Sequence, residues 1–305
     1  MGQDKPAVPN EAEETTAKNT AEPSPLAKAL AEDALNDDDP GTSVVDDYYA
    51  TYISAAERAA VAFLDPPDSK SISKRSKVWV DPKKKRVYFD GYIAMRDGAL
   101  EMFACPVGTK EHESIVAALS KSSEIHAALL AVGGKSGKPV RFSPEYVPAT
   151  GQKIRVWVCW RDKENKFHVV DGRSLCQKNG TEDEQMTADW VFAGSSFWKD
   201  PEDGREYYRA DSGDMICVSN FTSAMMDINI NSSAQTGALE YVPFLTRIPA
   251  RETPVRLVLE PIADNPQPNE KMAEPTDKVL TLNPNAEKQI ADLLAEKKAK
   301  AAKNQ

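Results

Sequence analysis

The hydrophobic pattern divides the chain into polar ends and a strand-rich middle. Residues 1–42 contain almost no large apolar side chain, so they bury too little surface to offset the entropy of ordering, and we expect a disordered acidic leader. In residues 43–76, apolar side chains recur at intervals of three and four between Asp46 and Leu64, which predicts an amphipathic helix packed on the main body. Pro66 ends that helix, and a polar linker follows.

Residues 77–262 alternate short apolar runs with turn residues, a pattern typical of β-strands. Helical spacing between Glu111 and Val132, followed by Gly133, predicts one principal helix, either continuous or broken near Lys121. Because strands outnumber helices, we expect an α+β fold with a mainly antiparallel sheet of short strands and that helix packed on it. Residues 263–305 are predicted to form a linker and a short C-terminal helix.

Composition and charge restrict the class of protein. The chain has 305 residues and a formal net charge of -9, so its overall field repels a phosphate backbone and we expect no nucleic-acid partner. No apolar run is long enough to span a bilayer. The wide spacing of the four cysteines excludes a zinc ribbon and leaves their redox state open. They are Cys105, Cys159, Cys176 and Cys217.

The segment from Cys105 to Ser114 carries the densest candidate chemistry. It leaves a predicted strand, turns through a glycine and enters the predicted helix, whose positive N-terminus would favour a thiolate at Cys105. His112 and Lys110 would lie near that sulfur with a carboxylate from Glu111 or Glu113. The alternative is structural, with Thr109 capping the helix, the acidic residues favouring its positive end, and Cys105 simply buried.

The remaining motifs give weaker indications of function. His126, on the apolar face of the predicted helix, is expected to be a hydrogen-bonded core residue rather than a metal ligand. The glycine-rich segment from Gly133 to Pro139 lacks the first glycine and the hydroxyl of a phosphate-binding loop, so no motif indicates a cofactor. Six aromatic residues either line a groove or fill the core. They are Trp157, Trp160, Trp190, Trp198, Phe192 and Phe197.

Three blocks carry a family resemblance: Leu100 to Ser114, Trp190 to Ser195 and Ile216 to Phe221. On these residues the chain resembles the YdjY-domain family of bacterial proteins, in the longer form found among planctomycetes. The resemblance lies within residues 77–262 and leaves both tails uncovered. It implies a domain often made with an export signal, and it transfers no catalytic residue. Because no such signal is seen, we expect either an exported protein whose signal is absent from this chain or a cytoplasmic protein.

Two hypotheses from different classes follow. The first is a non-catalytic module of an exported envelope protein that binds a protein or small ligand through the loop after Cys105 and the loop from Trp190 to Trp198. Its binding residues in the first loop would be Thr109, Lys110, Glu111 and Glu113. The alternative is a thiol-dependent or metal-assisted enzyme, with Cys105 as nucleophile or ligand, His112 as base or second ligand, and Lys110 stabilising an anion.

Overall fold

The computed structural model describes residues 52–74, 76–263 and 272–303. The leader expected over residues 1–42 lies outside the described residues. Of the described residues, those from 53 to 293 belong to one compact unit, and the remainder lie outside it. The helices are α1 (Ala55–Ala62), α2 (Ser122–Ala131) and α3 (Ala286–Ala301).

Fifteen strands lie within the described residues. They are β1 (Lys70–Ser71), β2 (Val78–Asp81), β3 (Arg86–Ile93), β4 (Met102–Pro106), β5 (Ser114–Ala118), β6 (Lys153–Arg161), β7 (Phe167–Asp171), β8 (Cys176–Lys178), β9 (Trp190–Val191), β10 (Phe197–Lys199), β11 (Glu206–Tyr208), β12 (Ile216–Cys217), β13 (Asp227–Ile228), β14 (Tyr241–Pro243) and β15 (Pro254–Pro261). Two small antiparallel pairs, β10 with β11 and β8 with β14, stand outside the main sheet.

The main sheet is mixed and nearly closes into a barrel. Its order is β12-β4-β5-β3-β15-β6-β9-β13, with β1, β2 and β7 paired off this path. A bridge between Ile216 and Met226 joins the region of β13 to β12 at the other end. The prediction of a strand-rich α+β fold is therefore confirmed. The expectation of an antiparallel sheet holds only in part, because β4 and β5 run parallel.

The predicted helix from Glu111 to Val132 is wrong over its first half. The chain makes one 3₁₀ turn at Glu111–Glu113, enters β5, and becomes helical only at Ser122. All five residues of β5 are buried, because the strand lies between β3 and β4, and this pairing outweighs the helical spacing of its apolar residues. The expectation of one principal helix holds only in part, because α2 has ten residues and the C-terminal helix α3, with sixteen, is longer.

The two faces of the sheet bury separate apolar clusters. The larger cluster contains Phe89, Phe103 and Trp190, together with Ile125 and Leu129 of α2. On the opposite face, segments before β2 and after β15 cover the sheet. This cluster includes Phe63, Val279 and Leu280 from those segments and Trp79 and Trp157 from the sheet. The compact fold therefore includes part of the stretch predicted as a linker after residue 262.

A capping box formed by Ser54 and Glu57 fixes the start of helix α1. The Glu57 amide donates to Ser54 Oγ at 3.2 Å, and the Ser54 amide donates to Glu57 Oε2 at 2.9 Å. This helix is shorter than the one predicted over Asp46 to Leu64, and the first residues of that prediction lie outside the described residues.

Candidate functional site

Cys105 lies in β4 and is fully buried. Burial raises the pKa of its thiol, and polar contacts with Ser114, the Lys110 backbone and Thr109 only partly oppose that rise. The expected helix N-terminus beside the sulfur is not formed, because residues 111–113 make only a single 3₁₀ turn. The environment of Cys105 therefore favours a neutral thiol.

His112 has the opposite environment. Its side chain is 77% exposed, and its Nε2 lies 3.8 Å from Glu113 Oε2. The Glu111 carboxylate accepts the Gly108 amide at 2.5 Å, and Thr109 Oγ1 donates to the Pro106 carbonyl at 2.6 Å, so both residues shape the turn after β4. The structure thus separates the solvent-exposed imidazole from the buried sulfur.

Lys110 is the centre of a charged cluster. Its Nζ lies 3.1 Å from Asp214 Oδ1, 3.3 Å from Glu113 Oε1 and 4.7 Å from the centroid of the Phe221 ring. Burial opposes the charged form, but the charges of Asp214 and Glu113 outweigh it and raise the pKa of Lys110. The ammonium is therefore held between two carboxylates.

Gly213 makes room for Lys110. A Cβ atom placed on Gly213 would lie 2.5 Å from Lys110 Cδ, and its φ of +143° falls in a region that other residues rarely adopt. The next residue in the chain is Asp214, so this glycine allows the lysine stem to pass directly beside the backbone that carries its acidic partner.

Asp214 connects the lysine cluster to a cleft. Its side chain is 7% exposed, and its Oδ2 accepts a hydrogen bond from Ser223 Oγ. Ser223 lines a cleft of about 670 Å³. The other lining residues are Trp198, Asp200, Tyr207, Tyr208, Arg209, Asp211 and Ser212. The structure thereby links Lys110 and Glu113, from one predicted loop, through Asp214 and Ser223 to the cleft that Trp198 of the second predicted loop lines.

The wall of the cleft is the β10–β11 hairpin. Trp198 and Tyr207 are cross-strand partners whose ring centroids lie 5.9 Å apart at an interplanar angle of 32°. Trp198 is 49% exposed and Tyr207 is 44% exposed, while Phe197 at the same hairpin is 67% exposed. Large apolar side chains that remain this exposed on adjacent strands are typical of a contact surface.

The base of the hairpin is fixed to the main body. Tyr208 Oη lies 2.7 Å from His126 Nδ1 and donates to the Gly194 carbonyl at 3.0 Å. The His126 ring also packs edge-on against Phe192, with centroids 4.8 Å apart, and burial lowers the pKa of His126. His126 is therefore a hydrogen-bonded residue at the base of the cleft wall, consistent with the structural role expected for it.

Ser195 adds a second attachment. It is a non-glycine residue with φ of +53°, an uncommon conformation that a surrounding structure must hold in place. Its Oγ donates to the Ser223 carbonyl at 2.5 Å, and its amide donates to the Ala224 carbonyl at 3.0 Å. Both hydrogen bonds tie the chain before β10 to the segment that forms the cleft floor.

Several parts of this arrangement had no signal in the sequence. Of the aromatic residues considered for a groove, Trp190 and Phe192 belong to the core, whereas Trp198 lines the cleft. The roles of Asp214 and Ser223 depend on the pairing of β12 with β4, which joins distant parts of the chain. Among the described residues, no group of three or more His, Cys, Asp or Glu side chains could hold a metal ion.

Within the part of the chain that the structure describes, none of the helices is long and apolar enough to cross a membrane.

Comparisons with known proteins place the chain in a family. The chain matches no curated protein and no solved structure. The model of the YdjY domain matches residues 78–260, which is more than half of the sequence and runs from the first residue of β2 to the penultimate residue of β15. The chain therefore belongs to the YdjY-domain family.

Proposed function

We propose that this protein is a non-catalytic binding module that takes its ligand into the cleft beside the β10–β11 hairpin. The observation that carries the proposal is the exposure of Phe197, Trp198 and Tyr207 on two paired strands next to a cleft of about 670 Å³. Binding sites are concave, rich in aromatic side chains and furnished with a few fixed polar groups. Asp211, Ser212 and Ser223 supply such groups here.

Preorganisation of the cleft supports the proposal. Tyr208 and Ser195 attach the wall of the cleft to the main body, so a ligand would not have to order this hairpin on binding. Below the floor, Lys110 holds Asp214 by an ion pair, and Asp214 in turn accepts the Ser223 hydroxyl. We therefore assign Lys110 a positioning role beneath the cleft.

The thiol-dependent alternative receives no comparable support. A thiolate nucleophile needs access to its substrate and a lowered pKa, whereas Cys105 is fully buried and burial raises the pKa of its thiol. The His112 ring that would serve as its base is 77% exposed. The proposal also includes the envelope location expected from the family resemblance, which fractionation of the producing cells after osmotic shock would test.

Binding can be tested with three soluble probe classes, namely neutral oligosaccharides, short peptides and small aromatic acids. Ligand-observed NMR would be recorded on the wild type, on the Trp198→Ala/Tyr207→Ala double variant and on Phe142→Ala. Phe142 is 53% exposed but does not line the cleft, so it is a matched control. We expect at least one probe class to bind the wild type and Phe142→Ala but not the double variant. Equal responses from all three proteins would overturn the proposal.

A further inference from the structure

We infer that the ligand of this cleft is an uncharged carbohydrate, an inference that rests on the proposed binding function. The aromatic wall of the cleft has a shape that favours sugar rings. Trp198 and Tyr207 lie side by side on paired strands, and both rings remain half-exposed. Aromatic faces attract the weakly positive C–H groups of a pyranose ring, and two adjacent rings offer such a face to two neighbouring sugars.

The polar groups beside the aromatic rings are a mixture of hydrogen-bond donors and acceptors. The hydroxyl groups of a sugar both donate and accept hydrogen bonds, so a site that holds them needs acceptors and donors together. Asp200 and Asp211 supply carboxylate oxygens, and Arg209 supplies N–H donors; all three line the same cleft as Trp198 and Tyr207. Within the described residues, the Arg209 guanidinium forms no ion pair, which leaves its donors available.

The Asp211 carboxylate in the cleft is held in a fixed position. Asp211 Oδ1 accepts the Ser123 amide at 2.8 Å, and its Oδ2 accepts the Ser123 hydroxyl at 2.8 Å. This carboxylate is thereby held in one orientation by the start of α2, and each of its oxygens keeps a further lone pair for a ligand. A fixed acceptor beside an aromatic face suits one orientation of a sugar ring.

The charge balance of the cleft favours a neutral ligand. Two carboxylates and one guanidinium line the cleft, so it has no excess of positive charge, and the whole chain carries a formal net charge of -9. Both facts oppose binding of acidic polymers. The positive charge of Arg209, which lines the same cleft as Asp200 and Asp211, also weakens the attraction for a basic peptide. A neutral ligand with many hydroxyl groups fits this balance best.

The inference can be tested by titrating neutral hexasaccharides of glucose, xylose and N-acetylglucosamine against tryptophan fluorescence and calorimetry. A lysine-rich hexapeptide and an oligoglucuronate serve as charged probes. We expect at least one neutral hexasaccharide to bind, with little change in Kd between 50 and 500 mM salt. Trp198→Ala is expected to weaken binding at least tenfold, and Tyr207→Ala several-fold, while Phe142→Ala leaves Kd unchanged.

Each alternative outcome has a separate meaning. Salt-sensitive binding of the peptide or the oligoglucuronate, without binding of any neutral sugar, would overturn the carbohydrate inference and leave the binding function in place. Neutral sugar binding that Trp198→Ala and Tyr207→Ala do not weaken would locate the sugar elsewhere and also overturn the inference. If no probe of any class binds the folded wild type, both the inference and the proposed function fail. Circular dichroism of each variant establishes that it is folded.

Discussion

Arg256 and Asp90 face each other on the adjacent strands β15 and β3 and form a fully buried, two-pronged ion pair. Arg256 Nε donates to Asp90 Oδ1 at 2.6 Å, and its Nη2 donates to Asp90 Oδ2 at 2.9 Å. The remaining nitrogen, Nη1, donates to the Val279 carbonyl at 2.6 Å. The guanidinium also lies 4.9 Å from the centroid of the Trp79 ring. This one side chain therefore connects two strands to the segment after β15.

Replacing one partner of this pair is expected to destabilise the fold strongly. Arg256→Met leaves the Asp90 carboxylate buried without its partner, and breaking a buried pair in this way costs about 3–5 kcal/mol. The free energy of unfolding from urea titration measures the effect. The double variant Arg256→Met/Asp90→Leu is expected to lose less, because it leaves no buried charge. A double variant less stable than Arg256→Met would contradict this account.

An exposed ion pair supplies the matched control. Arg58 and Glu252 form a pair in which the side chains are 35% and 46% exposed. Exposed pairs contribute about 0–1 kcal/mol, so Arg58→Met is expected to change the free energy of unfolding much less than Arg256→Met.

The close contact between Gly213 and Lys110 predicts a second destabilising substitution. Gly213→Ala places a methyl group 2.5 Å from Lys110 Cδ and forces alanine to a φ of +143°. We expect a loss of about 2–4 kcal/mol, from backbone strain and overpacking together. Gly108→Ala is the control, because Gly108 also has a positive φ, of +82°, but no atom would lie within 4 Å of its added Cβ. Equal melting temperatures for the two variants would contradict the packing argument.

The sequence predicts well those strands whose pattern of apolar and turn residues fits a strand but not a helix. Around Val80 and Arg86, β-branched and aromatic residues are separated by turn residues, and β2 and β3 occur there. The segment after Glu113 is different, since Ile115 and Val116 fit either a helix or a buried strand. Pairing with β3 and β4 decides in favour of the strand, and local spacing contains no information about those partners.

The candidate site shows the same limit. The sequence singles out Lys110 and Trp198 as candidate binding residues, but only Trp198 lines the cleft, and Lys110 is linked to it through Asp214 and Ser223. Asp214 and Ser223, which connect them, lie in segments without a chemical motif. The helix that would have activated Cys105 was inferred from spacing alone, so its absence removes the physical basis for a low pKa at that thiol.

The hydroxyl of Tyr208 is expected to stabilise the hairpin. Tyr208→Phe removes the group that contacts His126 Nδ1 and donates to the Gly194 carbonyl, at a cost of about 1–3 kcal/mol. Hydrogen exchange is expected to become faster at the amides of β10 and β11. Tyr207→Phe on the same strand removes only an exposed hydroxyl, 3.4 Å from Asp203 Oδ2, and should change stability by less than about 0.5 kcal/mol. A similar loss in both variants would argue against this anchoring role.

The four cysteines are expected to react slowly with a thiol reagent in the folded protein. All are buried and free, and burial raises the pKa of each thiol. Mass spectrometry after alkylation at pH 7.5 measures the rate at each residue, and full labelling should require urea. A separate binding measurement uses Cys105→Ala. This variant is expected to bind any ligand of the cleft as the wild type does. Labelling of native Cys105 faster than a free thiol would revive the thiol-dependent alternative.

Asp227 is expected to make stability depend on pH. The side chain is fully buried, its Oδ1 accepts Asn220 Nδ2 at 3.0 Å and the Ile228 amide at 2.8 Å, and burial raises its pKa to about 7. In the unfolded chain its pKa is about 3.9, so between about pH 4 and 7 the folded state holds a proton that the unfolded state has lost. Its contribution to stability is therefore complete below pH 4 and is lost as the pH rises to 7.

Asp227→Asn isolates this effect because the amide stays neutral throughout the range. Compared with the wild type, the variant should gain stability between pH 5 and pH 8 by up to about 3 kcal/mol, since each pKa unit corresponds to about 1.4 kcal/mol. Urea titrations at both pH values give the difference, and Asp183→Asn, at an exposed position, is the control that should show none. Parallel pH profiles for wild type and Asp227→Asn would mean that Asp227 is ionised in the folded protein, held by its N–H donors despite its burial.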